Sequence, residues 1–230
     1  WFLHDWGGFT GWSAGRGPFV GVPRTIIQSI SIVGVDCFVL ISGYFGIKPK
    51  WSSLANLFSV LLFFYVGCFI LDVVLGNTVF TWNELLSNCL AFSRENWFIQ
   101  CYLFLMLLSP MLNAFVDNVE KKYLACYIAV YALCAFYFGS VIESSYFSFN
   151  LGYSVGTFVL VYLVGRYIRL YVVDKIYGLK PQVLPLFYLL SVFVMTIMRW
   201  AIGEDDRWLC YSSPIVIGSA ALLMLCFLRM

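Results

Sequence analysis

Asp36 is the first residue of this chain whose type and position could do chemistry, because it interrupts the apolar run Gly34-Val35-Asp36-Cys37-Phe38-Val39-Leu40-Ile41-Ser42-Gly43-Tyr44-Phe45. On a helix, Asp36 and Gly43 stand two turns apart on one face with Val39 and Leu40 between them. Such a face combines close packing with a polar pocket to which Ser42 and Tyr44 could contribute. A charge at the centre of a membrane helix costs ~2.5–3.5 kcal/mol on insertion scales, so the carboxylate asks for a reason. Either a neighbouring helix satisfies it, or it binds substrate or acts in catalysis. The residues alone leave both open.

A second polar stretch runs Arg94-Glu95-Asn96-Trp97-Phe98-Ile99-Gln100-Cys101-Tyr102. Trp97 suits an aromatic anchor at a bilayer interface, while Gln100 and Tyr102 would enter the membrane. Farther along, Ser109-Pro110 predicts a kink and a freed backbone carbonyl. His4 is the single histidine. Imidazole is the side chain best suited to move a proton near neutral pH, although a lone histidine at a helix end also serves as a plain interfacial residue. With no second histidine and no C-x-x-C pair, a protein-bound metal is not expected. The eight cysteines lie mostly inside apolar runs and read as small hydrophobes rather than disulfide partners.

These residues need elements to hold them, and composition says which. Of 230 residues, 62% are hydrophobic and 11% charged, against ~25% charged in soluble domains, so lipid is the expected solvent. Aromatics at 20% fit interfacial Trp and Tyr with Phe facing acyl chains. The net charge of +2 carries no nucleic-acid signature, because the basic residues fall in short clusters between apolar runs. A span takes ~20 apolar residues, and strict alternation, the mark of a membrane barrel, is absent. Seven spans are expected, at about 25–47, 54–76, 97–116, 123–142, 153–172, 184–202 and 209–228. The fold class is therefore an all-α polytopic bundle forming a single domain over 1–230, with no internal repeat and no soluble domain. Residues 1–4 read as the end of an earlier helix and the last run stops without a polar tail, so a chain truncated at both ends is expected.

Charge orients the bundle. The links at 48–50, 117–122 and 166–180 hold Lys48, Lys50, Lys121, Lys122, Arg166, Arg169, Lys175 and Lys180. The alternate links around 77–96, 143–152 and 203–208 hold Arg94 and Arg207, and one carries Glu204-Asp205-Asp206. The positive-inside rule places the Lys-rich links in the cytoplasm. The glycine-rich residues 5–24, with Pro18 and Pro23, then form an outer loop, and 82–92 a short interfacial helix. The basic stretch from Arg166 to Lys180 either sets topology beside anionic headgroups or holds the phosphates of an anionic ligand.

Val35-Asp36-Cys37-Phe38-Val39-Leu40-Ile41-Ser42-Gly43-Tyr44-Phe45 resembles the V-D/N-x-F/Y-x-x-x-S-G-Y/F signature of the type 3 integral-membrane acyltransferases. Asn96-Trp97-Phe98 with Tyr102, Leu108-Ser109-Pro110 and Leu112-Asn113 is similar to a second stretch of that family, and Tyr211-Ser212-Ser213-Pro214 to a third, weaker one. The resemblance implies a bacterial inner-membrane O-acyltransferase of about ten helices, with seven visible here. It implies acyl-CoA, often acetyl-CoA, as donor substrate, no tightly bound cofactor, and a hydroxyl of an extracytoplasmic glycan or small molecule as acceptor. By its distance from the Val35-to-Phe45 motif His4 matches the family's catalytic histidine, whose companion arginine would lie upstream of residue 1. The reading from another class is a transporter or flippase of an envelope precursor, which Asp36 and a helix broken near Pro110 would equally suit. Oligomeric state is not legible.

Overall fold

The computed structural model describes residues 26–89, 97–142, 150–178, 180–202 and 209–229, and these are helical with no strand among them. The helices are α1 (Ile26–Phe45), α2 (Trp51–Val74), α3 (Trp82–Cys89), α4 (Trp97–Asn118), α5 (Lys121–Phe136), α6 (Val155–Tyr171), α7 (Val173–Ile176), α8 (Val183–Ile202) and α9 (Pro214–Arg229). A π-turn, Tyr137–Val141, extends α5, and a 3₁₀ turn, Asn150–Gly152, precedes α6. Among the described residues, four segments are long and apolar enough to cross a bilayer: Ile26–Phe45, Ser52–Val74, Trp97–Asn118 and Lys121–Gly139. The chain is a helical membrane protein. The other three expected spans are also helical, but α6 and α9 fall short of the ~20 residues that a crossing requires, at 17 and 16 residues. The expected start of the last span at 209 is instead a turn, and its helix begins at Pro214, whose missing N–H is harmless in a first turn.

The chain divides into two compact units, residues 1–46 with 112–230 and residues 47–111. In the second unit, α2 is 24 residues long and almost wholly exposed, with Phe63 and Phe64 among its bare side chains. Lipid can solvate such a surface where water could not. Gly76, at φ 74°, turns the chain back, and the aromatic run Phe69–Phe80–Trp82, with centroids 6.0 and 5.3 Å apart, seats the short α3. Farther on, α4 continues through Pro110 as one helix. Proline lacks the N–H that would bond the Met106 carbonyl four residues back, and the Ser109 hydroxyl donates to that same carbonyl at 2.8 Å. The expected freed carbonyl is thus recaptured by the neighbouring side chain.

The first unit is built around α6, which buries Thr157, Phe158, Leu160, Val161, Tyr162, Leu163, Gly165 and Ile168. Two glycines bring α1 against it. A Cβ on Gly43 would overlap the Tyr162 carbonyl oxygen, and one on Gly165 would overlap the Leu40 carbonyl oxygen and lie 3.0 Å from the Tyr44 nitrogen. Lipid offers no hydrophobic drive between helices, so close backbone approach through small residues is what holds such a pair. On another side, Tyr162 donates to Asn113 Oδ1 at 2.8 Å and Arg166 to Asp117 Oδ1 at 3.0 Å. Positions four apart on α6 meet positions four apart on α4, so the two run parallel. By contrast, α5 runs antiparallel to α6: Tyr131 donates to the Gly156 carbonyl at 2.9 Å, while Lys121 lies over the Tyr171 ring at 5.0 Å. Val116, Leu124 and Leu163 close the core between them. These directions are the ones the alternation of charged links requires.

Gly165→Val is expected to destabilise the purified protein by at least about 1–3 kcal/mol, read by denaturant titration in detergent. Ser109→Ala should lose about 1 kcal/mol while keeping full helicity by circular dichroism. A Gly165→Val protein as stable as the wild type would mean that α1 and α6 do not cross at these glycines.

Candidate functional site

The buried stripe of α1 reads Val33, Asp36, Val39, Leu40, Gly43, Tyr44, the i, i+3, i+4, i+7 spacing of one helix face. The sequence therefore turns Asp36 inward as a consequence of turning its apolar neighbours inward. Asp36 is 1% exposed, eleventh of the twenty residues of α1, and its Oδ2 has no hydrogen-bond partner among the described residues. Beside it, the Cys37 thiol reaches the Ala220 carbonyl at 3.5 Å and ties α1 to α9. Tyr211 lies in the turn before α9.

Tyr211 leads into a polar end of this unit. Its ring meets Tyr153 edge-on, with centroids 5.3 Å apart. Ser212 is within 3.1 Å of the Cys210 sulfur, and the backbone of Gly152, at φ 93°, packs so tightly that a Cβ there would sit 2.6 Å from the Ser212 nitrogen. The Ser154 hydroxyl caps α6 by accepting from the Thr157 N–H at 3.2 Å. Ser212, Ser213 and Thr157 are fully buried. The weakest of the three sequence stretches, Tyr211 to Pro214, therefore packs against the turn at Gly152 and Tyr153 that leads into α6. Buried hydroxyls can bind a polyol or relay a proton through short hydrogen bonds.

The remaining predicted residues divide. Ser42 donates to the Phe38 carbonyl of its own helix at 2.9 Å, which occupies its proton. Tyr44 is buried with the Arg169 guanidinium 4.8 Å above its ring. Eight residues separate it from Asp36, or roughly 12 Å along a helix axis, so the two do not share one pocket. Trp97 and Tyr102 belong to the second unit, where Phe98 packs between them, against Trp97 at 6.0 Å and stacked on Tyr102 at 6.1 Å. His4, residues 5–24, and Arg94, Glu95 and Asn96 lie outside the described residues. Cys101, Cys210 and Cys226 are buried as expected of small hydrophobes, whereas Cys68 and Cys126 are exposed, and these five with Cys37 and Cys134 are free thiols.

No family model, no curated protein and no solved structure matches the chain.

A buried carboxylate held for structure should have both oxygens bonded, since an unpaired buried polar atom costs ~1–3 kcal/mol. Asp36→Asn, which keeps the shape and removes the charge, is therefore expected to leave stability unchanged or raised. Chemical denaturation in detergent checks this, and a loss above about 2 kcal/mol would show the carboxylate to be a structural bond.

Proposed function

We propose that the chain is a membrane-embedded acyltransferase that moves an acyl group, acetyl foremost, from acyl-CoA to a hydroxyl of an extracytoplasmic glycan or small-molecule acceptor. The observation that carries this reading is Asp36. It is the acidic residue of the Val35-to-Phe45 signature, and it lies buried halfway along a spanning helix with one oxygen unpartnered. Perturbed, unsatisfied carboxylates inside membranes concentrate at functional sites. In this reading the seven apolar helical runs belong to a bundle of about ten in a bacterial inner membrane, with the Lys-rich links in the cytoplasm.

The chemistry follows from the groups. The acceptor hydroxyl attacks the thioester carbonyl while His4 takes its proton, and the tetrahedral intermediate collapses to ester and CoA thiolate. The imidazolium returns the proton to the thiolate, so His4 ends as it began. Asp36 accepts a hydrogen bond from the acceptor and fixes the attacking oxygen. Acyl-CoA is bound from the cytoplasm, and its pantetheine arm reaches inward between helices. The transporter alternative loses one of its supports, because α4 passes through Pro110 unbroken, with the Met106 carbonyl held by Ser109.

With the protein in proteoliposomes and radiolabelled acetyl-CoA supplied on the side of the Lys-rich links, His4→Ala should abolish transfer with the fold intact. Asp36→Asn should lower kcat by about 10²-fold or more, the size of a positioning and proton-handling defect. Full acyl transfer by the His4→Ala protein, or no acyl-CoA turnover by the folded wild type, would sink the reading.

A further inference from the structure

Arg166 opens a basic stretch that serves topology or ligand binding, and its surroundings separate the two. The guanidinium is not out in the link. Its side chain is 14% exposed, and Nη2 donates to Asp117 Oδ1 at 3.0 Å. Among the described residues, Nε is buried with no acceptor. Nη1 lies against Gly46, where a Cβ would come within 2.9 Å of it and 3.7 Å of Asn113 Oδ1. Gly46, at φ 71°, ends α1 by donating its N–H to the carbonyls of Ser42 and Gly43, 3.1 Å from each. The end of α1 is therefore capped by its own backbone and does not need the arginine. One turn farther along α6, the exposed Arg169 places its guanidinium over the Tyr44 ring, 4.8 Å from the centroid.

Two guanidiniums one turn apart, one with an unused buried donor, exceed what topology requires. A charge that only orients a helix can stay solvated, as Lys175 does. Asp117 is 60% exposed, so water screens it and it offsets Arg166 only in part. The guanidinium fork matches the spacing of oxygens on a phosphate, which a lysine cannot reproduce. We infer that Arg166 and Arg169 form a phosphate-binding site at the Lys-rich end of the first unit. There Arg166 grips the phosphate as a fork and Arg169 closes over it from the Tyr44 face. The phosphate belongs to a lipid headgroup or to a soluble phosphate ester. The inference does not rest on acyl transfer, since a transporter would carry the same site.

The test uses the protein in phosphatidylcholine nanodiscs. One arm titrates adenosine 3′,5′-bisphosphate by calorimetry, and the other adds phosphatidylglycerol and counts retained lipid by native mass spectrometry. Binding is expected in one arm, weakened about 10- to 100-fold by Arg166→Gln, the effect of losing hydrogen bonds to a charged group. Arg166→Lys should rescue little. Asp117→Asn, which keeps both arginines and removes the competing carboxylate, should bind at least as tightly as the wild type and guards against loss through misfolding. The arm that responds identifies the source of the phosphate. Absence of binding in both arms, or equal binding by Arg166→Lys and wild type, would overturn the fork site.

Discussion

The contact on which the first unit depends is the crossing of α1 and α6 at Gly43 and Gly165. Neither helix could come this close with a side chain at either position, because the added carbon would meet backbone carbonyl oxygen of the other helix. In lipid, where apolar side chains gain nothing by leaving their solvent, such approach supplies dispersion and weak Cα–H···O contacts over several turns. It also fixes register. Once Gly43 faces Tyr162, Tyr44 falls beneath Arg169 and Gly46 against Arg166, while Asp36, two turns back, faces the interior.

This register separates two kinds of polar chemistry along one helix. Toward the middle of α1 stands a buried carboxylate, and at its end stand two guanidiniums, one of them over an aromatic ring. The roughly 12 Å between Asp36 and Tyr44 keeps the opposite charges from pairing, which at close range would neutralise both. Arg166 instead spends one donor on Asp117 of α4, four residues beyond the Asn113 that receives Tyr162. Those two rungs lock residues 112–118 to α6, so the far end of the long α4 belongs to the first unit although its start does not.

Much of the architecture was legible because lipid leaves an apolar chain so few options. Runs of about 20 apolar residues must be helices, and their starts were placed within a few residues in most cases. Parallel α1, α4 and α6 with an antiparallel α5 follow from alternating Lys-rich links. Asp36 was legible too, since a carboxylate in an apolar run is rare by energy. Less was visible where the outcome hangs on a partner from another helix. Gly165 looks like any glycine of a membrane helix until Leu40 is set against it. Arg166 looks like a link residue until Asn113 and Asp117 arrive from α4. Ser109-Pro110 reads as a break when only the proline is weighed, but the serine beside it repairs the bond that the proline removes. Tyr211 to Ser213 carried the faintest motif and packs against Gly152 and Tyr153, a meeting of two chain segments that spacing along the sequence does not reveal.

Six serine and threonine hydroxyls within the helices share one habit against which the two proposed sites stand out. Ser42, Ser59, Ser109, Ser191, Thr196 and Ser219 each donate to a carbonyl three or four residues back in their own helix, at 2.7–2.9 Å. Asn118 does the same with its amide at 2.7 Å. In a solvent with no donors or acceptors, a polar side chain that can reach its own backbone does so. The Asp36 carboxylate cannot follow this rule, because the carbonyls within its reach are acceptors like itself. Arg166 projects too far to fold back on its own turn and finds a carboxylate on α4 instead. Groups that obey the rule are neutralised where they stand and have little left for a ligand. Among the described residues, Asp36 Oδ2, Arg166 Nε and Arg229 Nη1 are the buried side-chain atoms without a hydrogen-bond partner, and the first two are those on which the proposed sites rest.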